Sequence, residues 1–188
     1  MSTIIKPIFQ IQRINDLENQ LDKLKQLPLE QLTKRPNPKS WSPIEVAKHM
    51  IIAQNVYREK IENALAKDGN VQVQSEFKAS VIPSFLIKRF PPKEGEVKFK
   101  MKTMKQFKPV LNVSKLSEKE AQEILSDLSE RLKELKQWVE TYRTRPISTK
   151  KFNSAIGAVV RFSIPEACEF ILGHNERHFF QINQALSN

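Results

Sequence analysis

The sequence predicts an all-α chain, a four-helix bundle with one long crossover connection between helices two and three. Three observations carry that expectation. Four stretches repeat apolar residues at three- and four-residue steps, the mark of a helix with one buried face. The spacing Ser-x-x-Glu, in which two side chains cap one helix start reciprocally, opens three of those stretches, at Ser42/Glu45, Ser117/Glu120 and Ser163/Glu166. Prolines crowd into the connections, at Pro28, Pro36, Pro38, Pro83, Pro91, Pro92 and Pro109. A length of 188 residues suits a single domain over 1–188 with a proper core.

The first helix is expected over about 4–27, with Ile14, Leu17, Leu21 and Leu24 on its buried face. Pro28, Pro36 and Pro38 end it and stiffen the connection to the second helix. The second, over about 42–67, has Ser42 as cap and Pro43 at the first helical position. Trp41 and Val46 can staple its entry, and Asp68-Gly69-Asn70 reads as its stop. A long connection then covers 71–116. In it Phe77, Val81, Phe85, Leu86 and Phe90 suggest a short helix lying against the bundle, and Lys98, Lys100, Lys102, Lys105 and Lys108 interleave with Phe99, Met101, Met104 and Phe107. The third helix spans about 117–143, with Ile124, Leu128, Leu132, Leu135, Trp138 or Val139, and Tyr142 as its stripe. The fourth spans about 163–186.

Composition excludes several classes. One Cys leaves no disulfide scaffold and no Cys-rich zinc module, and a lone thiol fits a reducing compartment. Four Gly form no phosphate-cradling loop. Met1 to Arg13 lacks the unbroken apolar core and small-residue cleavage site of a secretory signal, and runs such as Met50–Ala53 are too short to span a bilayer, so a cytoplasmic protein with no membrane partner is expected. What stands out is a net charge of +10 and the placing of just three histidines.

His49 falls two turns into the second helix, and His174 and His178 fall in the fourth at spacing four. A step of four residues is about 40° net around a helix, so the last two imidazoles project from one face, one turn apart. Ala167, Ile171, Gln181 and Ala185 share that arc, and Glu45, Val46, Ile52, Ala53 and Val56 flank His49, which turns both faces toward the bundle. If helices two and four are neighbours, three nitrogens converge on one cation with an open position, the pattern of a catalytic rather than a structural site. Neutral imidazole suits zinc, nickel, copper or iron. Zinc and nickel head the expectation, with iron and manganese behind them. The plainer alternative, which spacing leaves open, is a pair of partly buried histidines hydrogen-bonded to neighbours, with His49 unrelated.

Two motifs carry a family resemblance. Trp41-Ser42-Pro43-Ile44-Glu45-Val46-Ala47-Lys48-His49 resembles the Trp-Ser-x-x-Glu-x-x-x-His opening of helix two in the DinB-like superfamily. Phe170 to Ile182 resembles that superfamily's last helix, Phe-Ile-x-x-His-x-x-x-His-x-x-Gln-Ile. Thr103, Phe107 and Pro109 resemble its middle segment more loosely, so the resemblance covers essentially the whole chain. It implies a four-helix bundle with a divalent metal held by His49, His174 and His178. It also implies a metal-dependent hydrolase or a thiol S-transferase, with a small-molecule substrate such as a low-molecular-weight thiol. The resemblance alone makes a homodimer one possible assembly, and the sequence itself leaves the oligomeric state open.

Other residues stand beside the triad. Gln181, about 20° from His174 around the helix, is a candidate to support a ligand or touch substrate, or simply a bonded polar group near the helix end. Glu45 could orient His49, but its capping role already explains it. Tyr57 and Tyr142 could supply hydroxyls to a pocket, although core packing with the hydroxyl in water is the expected state. Cys168 points to another face and reads as a small buried apolar group. The competing function is nucleic-acid or anionic-surface binding through the Lys and Phe interleaved between Lys78 and Lys108; it ranks below the enzyme because no nucleic-acid motif occurs. A non-catalytic metal-binding bundle is the third reading.

Overall fold

The structure is a computed structural model that describes residues 2–67, 69–93, 95–97 and 102–187. Asp68 of the expected turn, and Lys98, Phe99, Lys100 and Met101 of the basic stretch, lie outside the described residues. The elements run β1 (Ile4–Ile5), α1 (Pro7–Lys25), α2 (Leu29–Thr33), α3 (Pro43–Leu65), β2 (Phe77–Lys78), α4 (Val81–Arg89), α5 (Glu118–Thr144), β3 (Phe152–Ser154), β4 (Gly157–Phe162) and α6 (Ile164–Leu186). The four long helices α1, α3, α5 and α6 form the all-α bundle that the periodicity predicts.

Their main contacts run α1 to α5, α5 to α3, α3 to α6 and α6 to α1, so the first and second long helices sit across a diagonal rather than side by side. The crossover makes this possible, because a long connection need not return the chain to an adjacent position. It also makes α3 and α6 direct neighbours, which the histidine argument requires.

Each of the three Ser-x-x-Glu signals closes a capping box, at Ser42, Ser117 and Ser163. Glu166 does more than cap its own helix. It accepts from the Ser163 backbone N–H at 2.7 Å, from the backbone N–H and hydroxyl of Ser80 at 2.7 Å each, and pairs with Lys151 at 3.2 Å. One buried carboxylate thus ties the starts of α4 and α6 together. Burial pushes its pKa up, but those four donors outweigh burial and hold it below the usual range.

The core follows the predicted stripes. Ile14, Leu17, Leu21 and Leu24 of α1 and Leu128, Leu132, Leu135 and Val139 of α5 are buried. Removing that much apolar surface from water is the main drive for the bundle.

Several details differ from the sequence expectation. Ile4 and Ile5 are not helical; they pair antiparallel with Lys78 and Phe77, and Pro7 starts α1 because its fixed φ and missing N–H suit a first helical position. The region after Pro28 holds a short helix, α2, whose Leu32 is buried. The short helix in the connection exists as α4, with Leu86 and Phe90 buried, but Val81 (84% exposed) and Phe85 (50%) point to solvent. A hairpin, β3–β4, lies between α5 and α6 where no element is expected. Val56, expected on the inward face of α3, is exposed. Among the described residues no helix is long and apolar enough to cross a membrane.

The connection is pressed onto α6 at one point. A Cβ on Gly173 would come within 2.9 Å of Cγ of Pro91, so only glycine lets the chain pass this closely beside His174.

Candidate metal centre

His49 is delivered by the middle of α3, and His174 and His178 by successive turns of α6. All three rings meet: centroids lie 5.2 Å apart for His49 and His174, 4.6 Å for His49 and His178, and 4.4 Å for His174 and His178. One ring nitrogen from each falls within 4.8 Å of the other two, an arrangement that could hold a metal ion. His49 and His178 are buried.

The outer nitrogens of two rings are fixed. Nδ1 of His49 donates to the carbonyl oxygen of Phe107 at 2.6 Å, and Nδ1 of His178 donates to Oε1 of Gln181 at 2.9 Å. Each bond selects the tautomer whose Nε2 carries the lone pair, as ligating histidines require. Nε2 of His178 lies 3.1 Å from Nε2 of His174. Two nitrogens that share a cation at about 2.0–2.1 Å are separated by roughly 2.9 Å in octahedral and 3.3 Å in tetrahedral geometry, and the observed spacing falls between. The donor set therefore fits a divalent ion.

Electrostatics point the same way. Burial pulls the pKa of His174 down to about 3, with His49 and Arg177 adding repulsion. His178 is pushed well below its ordinary value by burial and then by the other two imidazoles, and His49 is lowered by burial against the pull of the Phe107 carbonyl. Three imidazoles kept neutral are three available lone pairs.

The rings border a cavity of about 480 Å³. Trp41, Phe90, Phe107, Phe170, Ile156 and Met104 give it apolar walls, and Lys39, Lys102, Lys108 and Arg177 are its charged residues. No carboxylate lines it among the described residues. Trp41 leans on His49 with centroids 5.0 Å apart. Gln54, 2% exposed, donates its amide to the Arg131 carbonyl at 2.5 Å, and its Oε1 is buried without a partner.

The remaining candidates separate cleanly. Gln181 bonds His178 and lines the cavity. Glu45 is a cap: it accepts from the Ser42 backbone N–H at 2.9 Å and is gripped by Arg35, while Phe107 takes the orienting role at His49. The tyrosine hydroxyls are not in water. Tyr142 is fully buried and donates to Gln10, and the Tyr57 hydroxyl is bonded to Ser154 at 2.8 Å. Only Tyr57 reaches the cavity, where its hydroxyl is held by the unexpected hairpin. Cys168 is buried, and burial drives its thiol pKa up, which leaves it inert. Of the phenylalanines interleaved with lysines between Lys78 and Lys108, Phe90 and Phe107 are turned inward and Phe85 is exposed, while Phe99 lies outside the described residues. The Phe107 carbonyl is invisible to sequence reasoning, because a backbone acceptor leaves no residue signature.

No curated protein and no solved structure matches the chain. The family model of the DinB superfamily matches residues 15–182, a span that takes in all three histidines and both motifs around them. The chain belongs to the DinB superfamily.

Proposed function

We propose that His49, His174 and His178 hold one divalent cation, zinc or nickel before iron or manganese, and that the chain is a metal-dependent enzyme acting on a small molecule in the adjoining cavity. The observation that carries this reading is the pairing of three convergent, neutral imidazoles with a cavity that opens directly on them. A cation bound by three neutral ligands keeps its full charge and supplies Lewis acidity to whatever occupies an open position.

The chain's own residues do the rest. Phe107 and Gln181 hold two of the rings in the ligating tautomer. The aromatic walls exclude water and give an apolar body a place to lie. Among the described residues no carboxylate lines the cavity, and the Tyr57 hydroxyl is bonded to Ser154. A bound divalent ion brings water to a pKa of about 7 and deprotonates a thiol outright, so one centre serves both chemistries; thiol S-transfer is placed ahead of hydrolysis because a thiol, at about 8.5 when free, is the more acidic partner.

Elemental analysis of the purified protein tests the reading. We expect about one equivalent of a divalent metal and near-complete loss in His174→Ala, with helix content unchanged by circular dichroism. Full occupancy in that variant would sink the triad. Turnover is then compared for a small thiol with an alkylating electrophile and for an ester, and ester cleavage alone would reverse the order of the two chemistries.

A further inference from the structure

The cavity is graded in exposure. His49, His178, Phe90, Phe107 and Phe170 are buried, whereas Lys39, Lys102 and Lys108 are exposed, so the lysines belong to the solvent-facing part of the lining and the imidazoles and rings to its buried part. Arg177 lies between these levels. It sits on α6 between His174 and His178, half-buried, with its guanidinium 5.7 Å over the Phe90 ring. Four cations around one opening, with no carboxylate in the described lining, set up a positive potential that low-dielectric aromatic walls focus inward.

From this we infer that the cavity takes an anionic small molecule, its carboxylate or phosphate held by Arg177 together with Lys39 and Lys108, its apolar body against Phe90, Phe107 and Phe170, and its reacting end at the imidazoles. Arg177 is suited to the acid group because guanidinium N–H donors match the geometry of a carboxylate or phosphate, and it lies 5.7 Å over the Phe90 ring against which an apolar body would rest. The lysines act as point charges that draw the anion in and strengthen its hold. The inference rests on the metal reading for the position of the reacting end, and stands apart from it for the acid group.

The test is calorimetric titration of phenylbutyrate, phenyl phosphate and the neutral phenylbutyramide into metal-loaded and metal-free protein, at low and physiological salt. At least one acid should bind about tenfold more tightly than the amide in both forms, since one lost charge-assisted bond is worth about that factor. The tighter acid identifies the group. The preference should shrink with salt and fall to near parity in Arg177→Gln. The double variant Lys39→Gln/Lys108→Gln, which alters only exposed side chains, should lower it severalfold even if Arg177→Gln misfolds. Equal affinity for acid and amide overturns the inference. So does an acid preference seen only in metal-loaded protein and intact in both variants, because the ion itself then holds the acid. If no metal binds yet the preference persists, the subsite stands and the metal reading falls.

Discussion

Acid should unfold the metal-free protein by way of its histidines, and His174 allows the size to be worked out. Its pKa stands at about 3 in the fold, because burial and then the neighbouring His49 and Arg177 disfavour the imidazolium. In the unfolded chain it returns to about 6.5. Between those values the unfolded state takes up a proton that the native state refuses, so this contribution is fully present above about pH 6.5 and is lost as pH falls toward 3. At pH 5 the loss amounts to about 2 kcal/mol, which for a chain of this size lowers Tm by about 4–8 °C relative to pH 7. One edge of the ring opens on the cavity, so this is an upper figure for His174 alone; His49 and His178, lowered likewise, act in the same direction. Glu45 and Glu166, whose carboxyls are held low by their hydrogen bonds and ion pairs, lose their contribution only as pH falls below the ordinary glutamate range, so they add little between pH 7 and pH 5. Thermal melts of chelator-treated protein at pH 7 and pH 5 measure it, and His174→Gln should shrink the difference. A Tm unchanged between those conditions, or a His174 imidazole that titrates near 6.5 by NMR, refutes the burial argument. Added metal should raise Tm most at neutral pH and progressively less as protons compete for the same nitrogens.

Two further substitutions probe how the site is held. Gln181→Leu removes the acceptor that fixes His178 and should weaken metal affinity by about 10–100-fold at unchanged helix content, read by competition with a chelator; an unaltered affinity would show that the bond is incidental. Glu166→Gln breaks the clamp shared by the starts of α4 and α6, and should cost about 1–3 kcal/mol in denaturant melts without changing metal content; an equal midpoint would mean that the caps are independent.

Much of this is legible in the sequence because it is local. Ser42, Ser117 and Ser163 start helices through partners three residues away, and the α5 stripe from Ile124 to Tyr142 is set by period alone. His174 and His178 share a face for the same reason. What stays hidden depends on contacts distant along the chain. Ile4 and Ile5 read as the start of a helix but are drawn into a ladder by Lys78 and Phe77. The β3–β4 hairpin lacks an Asn-Gly or Asp-Gly turn, the strongest short-range cue. Tyr142 gives no sign that Gln10, on α1, accepts its hydroxyl proton in a dry interior. The meeting of His49 with the other two rests on α3 and α6 being neighbours, which periodicity cannot decide and the crossover does.

The turn that carries Phe107 holds one further consequence. Its backbone orients His49, while Met104 and Lys108 on either side wall the cavity. On the proposed function, grip on an ion and choice of guest, which a bundle scaffold could have kept on separate parts, would thus be inscribed on one short stretch of chain. Any guest that wedges this turn outward takes away the carbonyl that steadies the imidazole, and by thermodynamic reciprocity an ion seated there resists that guest to the same degree. Exchanging 102–108 between relatives to redraw selectivity would retune the ion's affinity in the same stroke, so the two traits are expected to diverge together.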